Sequence, residues 1–82
     1  MYYELQLKDT NEAKTTVFME NDNNIKGLVK TDKAEANIGS MLSTLSLFAT
    51  NPGRSLILNI MDGNEKKLIK DLNNKNIAVK AL

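Results

Sequence analysis

Glu12-Ala13-Lys14-Thr15-Thr16-Val17-Phe18-Met19-Glu20 can be read two ways, and the fold turns on which one holds. As helix, the stretch opens on Glu-Ala-Lys, all good helix formers. Ala13 and Val17 fall at i,i+4, and Asp9 and Glu12 stand at capping-box spacing with Asp in place of the usual Ser or Thr. As strand, Thr15 to Met19 is rich in β-branched residues, which suit a pleated, half-buried surface. Asn21-Asp22-Asn23-Asn24 then reads as a turn, and residues 25–31 as a strand with Ile25, Leu28 and Val29 as its apolar members. A helix at 12–20 gives a β-α-β beginning. A strand gives a β-hairpin across the Asn-rich turn.

The flanking segments are compatible with both. Residues 2–8 alternate, with Tyr3, Leu5 and Leu7 on one face and Glu4, Gln6 and Lys8 on the other, which is the pattern of a half-buried strand. Residues 32–50 again allow two readings. In one, a turn at Asp32-Lys33 leads to a short strand at 34–37 and a helix from Ser40. In the other, a single long helix starts with Asp32 and Glu35 as its capping box, and Ala34, Ile38, Met41, Leu42, Leu45 and Phe48 follow helical spacing. Gly39 inside that long helix would cost about 1 kcal/mol relative to Ala. Asn51-Pro52-Gly53 is the strongest punctuation in the chain.

Residues 55–61, Ser-Leu-Ile-Leu-Asn-Ile-Met, read as a nearly continuous apolar strand placed centrally in a sheet. Apolar residues on both of its faces (Leu56, Leu58 and Ile60; Ile57 and Met61) imply a cover on each side. The second cover would come from residues 77–82, another chain or a partner. Asp62-Gly63-Asn64 turns the chain into a helix at 65–75, with Leu68, Ile69 and Leu72 inward and lysines outward. Residues 77–82 form an apolar tail, either an edge strand or a docked extension.

Composition narrows the chemistry. With 82 residues the chain fits one domain. Histidine and cysteine are both absent, which removes disulfides, thiolate chemistry, imidazole phosphochemistry and the usual zinc and iron ligands. A net charge of +1 gives no strong field toward nucleic acid or an anionic membrane. No apolar run reaches bilayer-spanning length and no leader pattern begins the chain, so a cytoplasmic protein is expected. No Ser-His or Cys-His pair, Walker loop or glycine-rich phosphate cradle is present, so a non-enzyme without cofactor or metal is expected.

At residues 35–48 the chain reads Glu-Ala-Asn-Ile-Gly-Ser-Met-Leu-Ser-Thr-Leu-Ser-Leu-Phe. This resembles the segment of HPr phosphocarrier proteins that leads into their short second helix: a serine at the helix start, two bulky apolar residues, then a Ser-Leu pair, here Ser40, Met41, Leu42, Ser46 and Leu47. The similarity continues through Gly53, the apolar strand, the Asp-Gly turn and the acidic-started last helix, covering about residues 25–75. It implies an α+β, open-faced β-sandwich of order β-α-β-β-α-β-α, with one antiparallel sheet and its helices on one face. The resemblance departs at the phosphorelay site. The family's histidine at the start of the first helix, followed by arginine, is matched here by Asp9-Thr10-Asn11-Glu12, which is acidic and holds neither.

The resemblance also marks two candidate sites. Ser40 matches the family's regulatory serine, where a phosphate at a helix N-terminus is electrostatically favoured; the structural alternative is a plain N-cap. Met41, Leu42, Leu45, Leu47 and Phe48 match the helix that docks on partner proteins, and core packing accounts for the same residues, with one or two left exposed. Lys66, Lys67, Lys70 and Lys75 read as a solvated face, and Arg54, the sole arginine, makes no motif by itself. Two functions follow as expectations: a non-catalytic HPr-like module that binds a protein partner or itself, or a small structural or assembly α/β protein unrelated to phosphotransfer. The first requires residues 12–21 to be helical.

Overall fold

The deciding stretch is helical. In the computed structural model, which describes residues 1–50 and 55–82, helix α1 runs Thr10–Asp22. Its buried residues are Ala13, Thr16, Val17 and Glu20, the i, i+3, i+4, i+7 stripe that one helix face buries. The β-branched pair Thr16-Val17 therefore serves the helix, because both members fall on the stripe. Asp9 caps the start: its Oδ1 accepts from the Glu12 N–H at 2.8 Å. Glu12 reaches back, though to the Lys8 N–H (2.8 Å), one residue ahead of the usual capping-box donor. At the other end the expected turn is shorter than its Asn-Asp-Asn-Asn sequence suggests. Asn21 and Asp22 remain helical, Asn23 donates to the Met19 carbonyl at 2.8 Å, and Asn24 takes the left-handed conformation with φ 54°.

The remaining elements are β1 (Tyr2–Gln6), β2 (Lys26–Lys30), β3 (Glu35–Asn37), α2 (Met41–Thr50), β4 (Leu56–Asp62), α3 (Glu65–Asn74) and β5 (Ala78–Ala81). The five strands form one sheet in the order β3-β2-β4-β1-β5, with every neighbouring pair antiparallel. The three helices pack on it, and the fold is an α+β open-faced sandwich. The tail thus becomes an edge strand, adding β5 to the order expected from sequence. The Asn51-Pro52-Gly53 punctuation and Arg54 lie outside the described residues.

Register decides which side chains meet. One cross-strand row is Ala36–Val29–Leu58–Tyr3–Ala81, and it faces the helices. The adjacent row, Glu35–Lys30–Ile57–Glu4–Lys80, faces the other way and alternates in charge around Ile57. The core lies between sheet and helices, built from Leu5, Leu56, Leu58, Ile60, Leu68 and Leu72 with their neighbours.

Two sequence expectations change here. The long helix over 32–50 does not form: residues 35–37 pair with β2, and Gly39 breaks the path with φ 89°. The second face of β4 is not covered by residues 77–82, because β5 pairs edge to edge with β1. Along β4, Leu56, Leu58 and Ile60 are buried, Ile57 and Asn59 are half-buried, and Met61 is 63% exposed. Ile57 and the outward Met61 therefore form the face of β4 that residues 77–82 leave uncovered. The lysines of the last helix point outward as expected, and Lys67 bridges Asp71 at 3.0 Å, an i,i+4 pair.

Candidate functional site

Helix α2 and the turn before it hold every candidate taken from the sequence. The turn leaves β3 at Asn37, buries Ile38, passes Gly39 and reaches Ser40 just ahead of Met41. Ser40 occupies the N-cap position, and the bonds it makes are main-chain ones. Its N–H donates to the Asn37 carbonyl at 3.3 Å, and its carbonyl accepts from the Thr44 N–H at 3.0 Å.

The five apolar candidates separate. Leu47 turns into the core and is 7% exposed. Leu45 and Phe48 are half-buried against that core, and Met41 is half-buried. Leu42 stands free at 83% exposure. Beside it, a groove of about 490 Å³ runs between α2 and the edge strand β3, lined by Leu42, Ser43, Ser46 and Leu47 on one side and Glu35, Ala36 and Asn37 on the other. Helix α2 carries no charged side chain. The surface it offers is therefore an apolar knob flanked by hydroxyls. Full burial of such a leucine contributes about 1.5–3 kcal/mol to an association.

Two residues escape sequence reasoning. Phe18 is 62% exposed on α1, the helix packed beside α2. The available signal is its offset: it falls one position past the Thr16-Val17 pair of the buried stripe. Glu20 is the reverse, a carboxylate on that stripe, seven residues after Ala13 and only 1% exposed. Burial pushes its carboxyl up to about 7, with the nearby Gly39 N–H opposing the shift. Glu20 Oε1 and Thr44 Oγ1 are the buried side-chain atoms left without a hydrogen-bond partner among the described residues.

The acidic Asp9–Glu12 segment is occupied by capping, with Asp9 Oδ1 and Glu12 Oε1 both accepting main-chain N–H groups. Among the described residues no group of three or more acidic side chains is placed to hold a metal ion, and no helix is long and apolar enough to cross a membrane. Comparison with protein-family models, with curated proteins and with solved structures gives no match for this chain.

Proposed function

We propose that this protein is a non-catalytic, HPr-like module that binds a protein partner through the outer face of α2, with the phosphorelay site lost. The observation that carries the reading is Leu42: a large apolar side chain at 83% exposure on a helix without charge. Leu42 borders the groove between α2 and β3, so a chain seated in that groove takes its side chain out of water. Three further features support the reading. The helical α1 satisfies the element order that the HPr resemblance requires. Ser40 sits at the start of the same helix, where a phosphate would add charge to a helix that has none of its own. The segment where the family places its phosphorylated histidine holds two acidic residues already spent on capping.

The test is affinity capture from the native host with wild type, Leu42→Asp and Lys66→Glu. A partner retained by wild type and Lys66→Glu and released by Leu42→Asp supports the reading. Retention indifferent to Leu42, or no retained protein and no self-association by sedimentation at micromolar concentration, favours a structural or assembly role instead. Incubation with enzyme I and phosphoenolpyruvate is expected to leave the chain unlabelled. Stoichiometric, acid-labile labelling at Asp9 would overturn the loss of the relay.

A further inference from the structure

The last turn of α1 grips the turn ahead of α2 at one residue. The Gly39 N–H lies near enough to the Glu20 carboxyl to favour its charged form, and the Gly39 carbonyl accepts from Asn21 Nδ2 at 3.2 Å. Gly39 is held with φ 89°, and a Cβ there would come within 2.6 Å of Asn21 Oδ1, so the two segments are in direct contact. The grip is incomplete in one respect: Glu20 is 1% exposed, and its Oε1 has no partner among the described residues. A buried carboxylate with one N–H nearby is poorly solvated when ionised and well tolerated when neutral.

We propose that Glu20 is a proton-operated latch: the neutral carboxyl seats turn 38–40, and with it the start of α2, on α1, and ionisation lets the turn lift so that water reaches the charge. The latch holds whatever α2 binds, so it stands apart from the docking role.

Local chemistry favours this route of relief. Helix α2 and turn 38–40 carry no titratable group that could neutralise the charge. From α3, the charged pair turned toward α1 is Lys67–Asp71, and Asp71 is already engaged by Lys67 at 3.0 Å and by Asn23 at 3.2 Å. Glu65, also on α3, accepts from the Tyr3 hydroxyl at 2.8 Å. On α1 itself Glu12 is committed to the Lys8 N–H at the far end. The sheet rows beneath are apolar. Lifting the turn costs fewer buried contacts than unfolding the domain, and local openings of that kind lie below the global free energy.

The sign follows from linkage. The carboxyl titrates at about 7 when seated and at the ordinary 4.5 when lifted into water. Opening of the turn therefore becomes about tenfold more frequent per pH unit between those values, about 300-fold in all, and is constant outside them.

The experiment is amide hydrogen exchange by NMR on the full chain from pH 4.5 to 8.5, corrected for intrinsic rates, with wild type and Glu20→Gln. In wild type, protection at Gly39 and in the first turn of α2 falls about 300-fold up to pH 7 and then levels. At pH 8 those amides are less protected than Leu68 and Leu72 of α3, and the Gly39 amide shift titrates with a midpoint near 7. In Glu20→Gln the α2 profile is flat. Glu20→Leu serves as the second neutral variant should the glutamine protein fail to fold. Equal protection of α2 and α3 at every pH, or a pH profile that survives removal of the carboxyl, would overturn the latch.

Discussion

The Tyr3 hydroxyl donates to Glu65 Oε2 at 2.8 Å across 62 positions of sequence, tying the first strand to the first turn of the last helix. Burial, then the hydrogen bond to Glu65, raises the Tyr3 phenol above its ordinary 10. A raised phenol adds stability that is present below pH 10 and lost as pH rises through the folded value. Tyr3→Phe removes one charge-assisted bond and leaves a partly solvated acceptor, so the expected cost is about 1–2 kcal/mol. Urea melts at pH 7 measure it. A Tyr3→Phe protein as stable as wild type would show that the bond contributes nothing net.

Glu20 sets the pH dependence of the whole domain. Its folded value of about 7 lies above the ordinary 4.5. The folded state therefore holds a proton in that window that the unfolded chain has released. Stability is fully present below pH 4.5 and falls as pH rises to about 7, by about 3 kcal/mol at 1.36 kcal/mol per pH unit. Asp71 acts in the opposite sense: its Lys67 bond, then its Asn23 bond, holds it below the ordinary 3.8, so its contribution is lost only as pH falls below that. The windows do not overlap. Thermal melts from pH 4.5 to 8 are expected to show a declining midpoint for wild type and a flat one for Glu20→Gln, with the variant the more stable above pH 7.

What the sequence made legible and what it did not separates along physical lines. The strand at 2–6 and the lysine-faced helix at 65–74 each carry a period that belongs to one structure only, and the nearly continuous apolar run at 55–61 gave the central strand its composition implies. Residues 12–20 carry two signals, local β-branching and a helical stripe, and the stripe won because tertiary burial of Ala13, Thr16 and Val17 outweighs a propensity difference of a few tenths of a kcal/mol per residue. Glu20 was invisible as a buried group because a carboxylate at a stripe position reads as a helix former on the surface. Leu42 and Leu47 could not be told apart in an apolar run whose helix orientation is fixed by packing against α1 and β3.

The glycines rank by what a methyl group would meet. At Gly27 (φ 151°), beside the β2–β4 register shift, an added Cβ would overlap the Asn59 carbonyl of the neighbouring strand. At Gly39 it would meet only the end of the Asn21 side chain. A strand carbonyl cannot move without breaking the ladder, whereas a side-chain amide can rotate away. Gly27→Ala is expected to destabilise by about 3 kcal/mol or more, and Gly39→Ala by about 1–2 kcal/mol from its positive φ. Guanidinium melts that reverse this order would mean that the sheet yields more readily than the turn.

Within α2 itself, three substitutions divide folding from surface. Leu47→Ala removes a side chain from the core and is expected to cost about 2–4 kcal/mol. Leu42→Ala, five residues earlier and free in solvent, is expected to stay within about 0.5 kcal/mol of wild type. Ser40→Ala is expected to cost well under the ~1 kcal/mol of a working cap, because its bonds run through the main chain to Asn37 and Thr44. All three read out in one set of denaturant melts at pH 6. A costly Leu42→Ala would place that side chain in the fold and remove the apolar knob from the surface. A full capping loss at Ser40 would mean that its hydroxyl holds the helix start, and a phosphate there would then displace a structural bond as well as add charge.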